Sequence, residues 1–299
     1  MSRAGERLFK EGNDFFSRGQ FKKAVENYEQ ALALVNDEPA LWYNHGCALV
    51  ELERYEDALQ SFQKAVELEP GFYLAWFNHG NILNMLGRFD DALESYDQVV
   101  TLKPDHYLAW NNRGCSLARV EEFSESLDSY KKALELRADY RPANYNQAYV
   151  LAKIGLFEEA SEIYESALQL RAEDPAMWNN RGVVLTRAHR LDDALYCFEQ
   201  AIRLKTDYYK AWYNRGYVLT EALRYEEALE SYRNALQLLP DYGTALYNLG
   251  YVLIKLSRFA EAAETFTEYV KLCPVSEYTD LLNQQIARLR QYAQNAQKT

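Results

Sequence analysis

The chain repeats itself every 34 residues, and that period constrains its fold more than any other feature. Trp42-Tyr43-Asn44-His45-Gly46 returns as Trp-Phe-Asn-His-Gly at Trp76 and as Trp-Asn-Asn-Arg-Gly at Trp110 and Trp178. It returns once more as Trp-Tyr-Asn-Arg-Gly at Trp212. The tryptophans are 34, 34, 68 and 34 residues apart. A degraded copy at Asn144–Ala148 fills the double gap, and a copy without Trp lies at Leu246–Gly250. A fixed period of this length is the signature of stacked helical units, each too small to bury its own apolar face.

Taking Pro39 as the start of a repeat gives eight, at 5–38, 39–72, 73–106, 107–140, 141–174, 175–208, 209–242 and 243–276. Each holds two amphipathic segments, and the second always ends on Leu, from Leu34 and Leu68 through to Leu272. Pro70, Pro104, Pro240 and Pro274 follow that Leu, where a helix cannot continue. Pro39 and Pro175 open the next helix, where the missing N–H costs nothing. Small residues recur where helices approach closely: Gly46, Gly80 and Gly216 in first segments, Ala58, Ala92 and Ala228 in second segments. A mid-helix Gly costs about 1 kcal/mol against Ala. Its repetition therefore implies a partner helix too near for a side chain. Large rings share a position of their own, among them Tyr28, Phe62, Tyr96, Tyr130, Phe198 and Tyr232.

The order Trp, Gly four residues on, then Ala, aromatic, Ala and Pro resembles the tetratricopeptide repeat, and the likeness runs over residues 5–276. The resemblance implies an all-α fold: antiparallel helix pairs stacked into a right-handed superhelical solenoid, with a concave groove lined by first helices. The Asn-Arg-Gly wording is common among bacterial members of that family. Residues 1–4 and 297–299 are expected to be tails. Residues 277–296 form a last amphipathic helix, with Leu282, Ile286 and Leu289 on one face, and are expected to cap the open end. A dimerisation helix is the alternative.

Composition limits the function. The net charge is −11 with no basic cluster, which argues against nucleic acid, whose binding rests on phosphate neutralisation. No apolar run reaches the ~20 residues of a membrane span. The chain runs from Met1 into charged amphipathic sequence, so no signal peptide is expected. Cys47 and Cys115 share a repeat position two repeats apart, too far to bridge, so the expected setting is reducing and cytoplasmic. None of the four histidines has a second metal ligand at helical spacing. No nucleophile–base set can be assembled, so neither an enzyme nor a cofactor is expected.

The resemblance points to the groove, where family members meet ligands at the second, fifth, ninth, twelfth and thirteenth positions of the first helix. The fifth position supplies Tyr43, Phe77, Asn111, Tyr145, Asn179, Tyr213 and Tyr247. The ninth supplies Asn81, Tyr149, Tyr217 and Tyr251, one turn away on the same face. Arg119, Lys153 and Arg187 place a cationic line at the thirteenth. The recurrent Asn of the sixth position, including Asn112, Asn180 and Asn214, either contacts ligand backbone or bonds neighbouring repeats. Tyrosine offers contact area with few rotors to freeze and a hydroxyl for peptide backbone. The expected partner is therefore a protein or extended peptide, and the expected role an adaptor or scaffold. Two alternatives stay open. One is a co-chaperone with a carboxylate clamp, of which only Asn180 and Lys210 match. The other is a module that self-associates through the array ends or the C-terminal helix.

The fifth repeat has Asn144 in place of Trp and Ala148 in place of Gly. Losing a ring that buries on the order of 200 Å² weakens that repeat locally. Amide hydrogen exchange across 141–174 is expected to be faster than across 73–106 or 209–242, and to slow when a ligand binds; equal protection would mean an ordinary joint.

Overall fold

The computed structural model describes residues 3–274 and 279–296. The expected junction at 275–278 and the tail positions 1–2 and 297–299 lie outside the described residues. Among the described residues there are helices and no strands. The first helices of successive pairs are α1 (Arg3–Ser17), α3 (Pro39–Val50), α5 (Tyr73–Met85), α7 (Tyr107–Arg119) and α9 (Arg141–Lys153), then α11 (Pro175–Arg187), α13 (Tyr209–Glu221) and α15 (Gly243–Lys255). The second helices are α2 (Phe21–Leu34), α4 (Tyr55–Leu68), α6 (Phe89–Leu102) and α8 (Phe123–Leu136), then α10 (Phe157–Leu170), α12 (Leu191–Leu204), α14 (Tyr225–Leu238) and α16 (Phe259–Leu272). A last helix, α17 (Thr279–Ala296), packs on α16 through Leu282, Ile286 and Leu289. Helix α1 begins at Arg3, inside the stretch read from sequence as a tail. No described helix is long and apolar enough to cross a membrane.

The chain divides into two compact units, 1–150 and 151–299. In the first, a continuous core runs from Ala24 and Tyr28 through Leu41, Leu49 and Phe62 to Leu83 and Tyr96. In the second, the core runs from Leu185 and Phe198 through Leu219 and Tyr232 to Phe266 and Ile286. Both follow the sequence pattern: the recurrent Ala residues are wholly buried, and the shared ring of the second helix fills the space beside them.

The tryptophans do more than fill volume. Each indole N–H donates to the carbonyl six residues before it: Trp42 to Asn36 at 2.9 Å, Trp76 to Pro70 at 3.0 Å, Trp110 to Pro104 at 2.9 Å. Trp178 and Trp212 do the same to Ala172 and Thr206, at 2.8 and 3.0 Å. This bond ties the start of a repeat to the turn that precedes it. In the fifth repeat Asn144 is buried and its amide reaches the matching carbonyl, that of Ala138, at 3.5 Å, with Tyr140 O at the same distance. The substitution keeps the hydrogen bond in lengthened form and gives up the ring.

Position seven of the first helix forms a polar seam between repeats. Arg113 donates to Ser129 of its own repeat at 2.7 Å and to Asp97 of the one before at 2.6 Å. Arg215 repeats this with Ser231 and Glu199, and Arg181 reaches Glu165 at 2.6 Å. His45 and His79 occupy this position in the second and third repeats, and their Nδ1 atoms lie 3.0 and 2.9 Å from Ser61 and Ser95. Burial pushes both imidazoles down to about 4. The folded state therefore holds them neutral, while the unfolded chain takes up protons below about 6.5. Stability they permit at neutral pH is lost as pH falls from about 6.5 toward 4. His45 Nε2 lies 3.9 Å from the Glu29 carboxylate, where the arginines of other repeats find their acid partner. His45→Arg is therefore expected to fold, pair with Glu29 and Ser61, and flatten the acid limb of the stability profile. Urea unfolding should show a gain over the parent chain on the order of 1–2 kcal/mol at pH 5 and little change at pH 7. An unchanged pH slope would contradict this account.

Candidate functional site

The ninth-position side chains differ between the two compact units. In residues 1–150 they are mostly small and engaged. Asn81 Oδ1 accepts from Tyr96 Oη and from Asn112 Nδ2, each at 2.9 Å. Cys47 and Cys115 lie half-buried as free thiols, and burial raises both above the ordinary thiol range. The ring of Tyr149 is 65% exposed. In residues 151–299 Val183 is half-buried, while the ninth-position rings of Tyr217 and Tyr251, with the fifth-position ring of Tyr247, stand 42–48% exposed. Four tyrosines expected at the site thus present their faces to solvent.

Other expected contacts are turned inward. Asn111 and Asn179 are 4% and 5% exposed, and each donates to the Asn that follows it. Tyr43 is half-buried against Phe72, and Phe77 against His106. Tyr213 packs on Tyr242 at 4.9 Å between ring centres. Tyr145 is half-buried, with the Arg141 guanidinium 6.0 Å from its ring centre.

The sixth-position asparagines form a ladder between repeats. Asn44 donates to Asn13 at 2.9 Å, Asn78 to Tyr43 at 3.2 Å, and Asn146 to Asn111 at 3.2 Å. Asn214 donates to Asn179 at 2.9 Å and Asn248 to Tyr213 at 3.1 Å. Asn180 accepts from Asn179. The sequence left two readings of this row open; the structure engages it in holding adjacent first helices at fixed separation.

Cavities open between consecutive first helices on this same face. In residues 1–150 a cavity of 450 Å³ has Met85, Arg119 and Tyr149 at its rim and Cys115 and Tyr130 in its wall. The Arg119 guanidinium lies 5.0 Å from the centre of the Phe89 ring. In residues 151–299 a cavity of 590 Å³ is lined by Arg187, Tyr213, Asn214, Tyr217 and Glu221. Arg187 and Lys153 are exposed. The lining offers donors, one carboxylate and aromatic faces, which suits binding. Among the described residues no cluster of His, Cys, Asp and Glu could hold a metal ion.

A profile of the tetratricopeptide repeat matches residues 43–107, 80–141, 111–175, 145–209, 179–233 and 213–277, and a second repeat profile matches 12–52. No curated protein matches. Among solved structures, a tetratricopeptide repeat protein from Parabacteroides merdae ATCC 43184 is 18% identical, with 84% of this chain and 100% of that one aligned and a TM-score of 0.59. YrrB, described as a TPR protein with an unusual peptide-binding site, is 26% identical over 63% of this chain and 97% of its own, with a TM-score of 0.53. The Cut9–Hcn1 hetero-tetramer of the APC/C is 17% identical over 93% of this chain and 55% of that one, also at 0.53.

The ladder predicts its own phenotype. Asn112→Ala removes one of the two donors to Asn81 Oδ1. It is expected to lower unfolding stability by about 1–2 kcal/mol, read by chemical denaturation. A variant as stable as the parent chain would remove the ladder from the inventory of structural bonds.

Proposed function

This chain belongs to the tetratricopeptide repeat family, and from that premise we propose that it is a non-catalytic interaction protein holding an extended segment of a partner protein against its first helices. Members of the family are generally protein-interaction modules. The observation that carries the reading is the exposure of Tyr149, Tyr217, Tyr247 and Tyr251 on the face where cavities open between first helices. Rings this far exposed leave much of their area unused by packing, although Tyr247 also rests on Phe266, and they pair an apolar face with a hydroxyl suited to peptide backbone. The half-buried Tyr213 lines the same cavity as Tyr217. YrrB, whose description carries a peptide-binding site, shares the fold. Self-association through the first helix is less well supported. The exposed side of α1 carries the pairs Lys10–Glu6 and Arg7–Glu11, a surface suited to water. Four free cysteines accord with a reducing, cytoplasmic setting.

The test uses the two most separable rings. Tyr217→Ala with Tyr251→Ala is expected to leave helicity unchanged and lower the unfolding midpoint only modestly, because both rings are partly exposed, and to weaken capture of the partner by about tenfold or more. Undiminished capture would place the binding surface elsewhere.

A further inference from the structure

We propose that the segment held by residues 151–299 adopts a polyproline II conformation and carries acidic, basic and acidic side chains at three-residue spacing. The inference rests on the reading above, that an extended segment lies against the first helices, and adds the chemistry of its recognition.

Three charged residues occupy one repeat position on three consecutive first helices: Arg187 ends α11, Glu221 ends α13 and Lys255 ends α15. All three are exposed, and among the described residues none of them forms an ion pair. Arg187 and Glu221 line the same cavity yet do not bridge it. Elsewhere in this unit, opposite charges on adjacent repeats do meet, as Arg181 with Glu165 at 2.6 Å and Arg215 with Glu199 at 3.6 Å. The row therefore presents plus, minus, plus to solvent. Glu221 is the informative member. A carboxylate in the last turn of a helix opposes the helix dipole, whereas Arg187 and Lys255 at the equivalent ends are favoured by it. The fold gains nothing from Glu221 in this place, and a ligand carrying a cation would.

Geometry sets the spacing. Helices α11, α13 and α15 pack in succession, and packed helices lie about 8–10 Å apart. A β-strand turns successive odd-spaced side chains to opposite faces, so residues three apart could not all face the row. A polyproline II helix has three residues per turn and rises about 3.1 Å per residue, which places residues i, i+3 and i+6 on one face about 9 Å apart. That repeat matches the helix spacing. The intervening residues then lie over Tyr217 and Tyr251, whose rings are 42% and 44% exposed. The Lys255 ammonium, 5.1 Å from the Tyr251 ring centre and hydrogen-bonded to that tyrosine, is exposed to a carboxylate.

The probes are fluorescein-labelled peptide amides titrated with the full chain and read by fluorescence anisotropy at low ionic strength. One carries Glu-Pro-Pro-Lys-Pro-Pro-Glu, a second inverts every charge, and a third shortens the spacing to Glu-Pro-Lys-Pro-Glu. The first is expected to bind about tenfold or more tighter than either control, since several rim pairs turn from attraction to repulsion or fall out of register. The gap should narrow as added salt shortens the screening length toward about 8 Å. Glu221→Lys is expected to exchange the preference, weakening the Lys-centred peptide and strengthening Glu-Pro-Pro-Glu-Pro-Pro-Glu. If all peptides bind equally and Tyr217→Ala abolishes that binding, the face is correct and the charge register is wrong. If no peptide changes anisotropy, or binding survives Tyr217→Ala with Tyr251→Ala, no such segment is held here and the proposal falls.

Discussion

The contact on which the rest depends is between a glycine of the first helix and a ring of its own second helix, made in every repeat but the fifth, where Ala148 takes the glycine's place. A Cβ built on Gly12, Gly46, Gly114, Gly182 or Gly250 would lie 2.5–2.7 Å from the nearest ring carbon, and on Gly80 or Gly216 at 2.9 Å. Real Cβ atoms do not come that close, and the rings of Tyr28, Phe62, Tyr96 and Tyr232 are wholly buried with no room to withdraw. The helix-propensity cost of Gly, about 1 kcal/mol, is thus the smaller of two evils, since overpacking a core costs typically 1–3 kcal/mol. With the ring held, its hydroxyl is aimed. Tyr28 and Tyr96 donate to Asn13 and Asn81, and those oxygens in turn accept from the asparagines of the next repeat. One close approach within a hairpin thereby sets the bond that joins it to its neighbour.

The same ladder explains why the face differs along the chain. In residues 1–150 the ladder uses a ninth-position acceptor in every described rung: Asn13, Cys47, Asn81 and Cys115. In residues 151–299 the acceptors are fifth-position groups, Asn179 and the hydroxyl of Tyr213. Asn78 and Asn146 in residues 1–150 also reach the fifth-position Tyr43 and Asn111, but in residues 151–299 no ninth-position group accepts a described rung, and two of those positions carry Tyr217 and Tyr251. The exposed tyrosines of residues 151–299 thus stand at positions that the described rungs of that unit leave free.

This shift also marks how far the sequence could be read. Period, helix pairing, the all-α class and the family were legible, because Gly46, Ala58, Phe62 and their equivalents recur at fixed offsets and each has a single packing role. Position five was not, because the same spacing serves two ends. Asn111 and Asn179 share a helix face with exposed tyrosines, and only the reach of Asn146 and Asn214 shows that they are buried acceptors. The histidines were set aside in the sequence as isolated groups without metal partners. Their role becomes visible only beside Arg113 and Arg215, which occupy the same position and reach the same serine. The signal lay in aligning the repeats at position seven and noticing Ser61, Ser95, Ser129 and Ser231 sixteen residues later.

Two recurrent backbone positions complete the contrast between what packing requires and what it tolerates. Every turn from first to second helix contains a residue in the left-handed region, Gly at 19, 87 and 155 but Glu53, Glu121, His189, Leu223 and Ser257 in the others. A side chain there is disfavoured by roughly 1–2 kcal/mol, yet five repeats accept it. The reason is that the turn is over-determined. In each repeat the following N–H closes onto a carbonyl five residues back, as Arg54 onto Leu49 at 2.9 Å and Arg224 onto Leu219 at 2.8 Å. No atom lies within 4 Å of a Cβ placed on Gly19, Gly87 or Gly155. Glycine in the turn relieves only backbone strain, which the locked hairpin can bear, so the residue there is free to vary, even to a Leu223 that is 70% exposed. Glycine under the ring answers a collision with buried atoms in the seven repeats that carry it, and only the fifth places a Cβ there, that of the buried Ala148. Only the second kind recurs because of what packs against it.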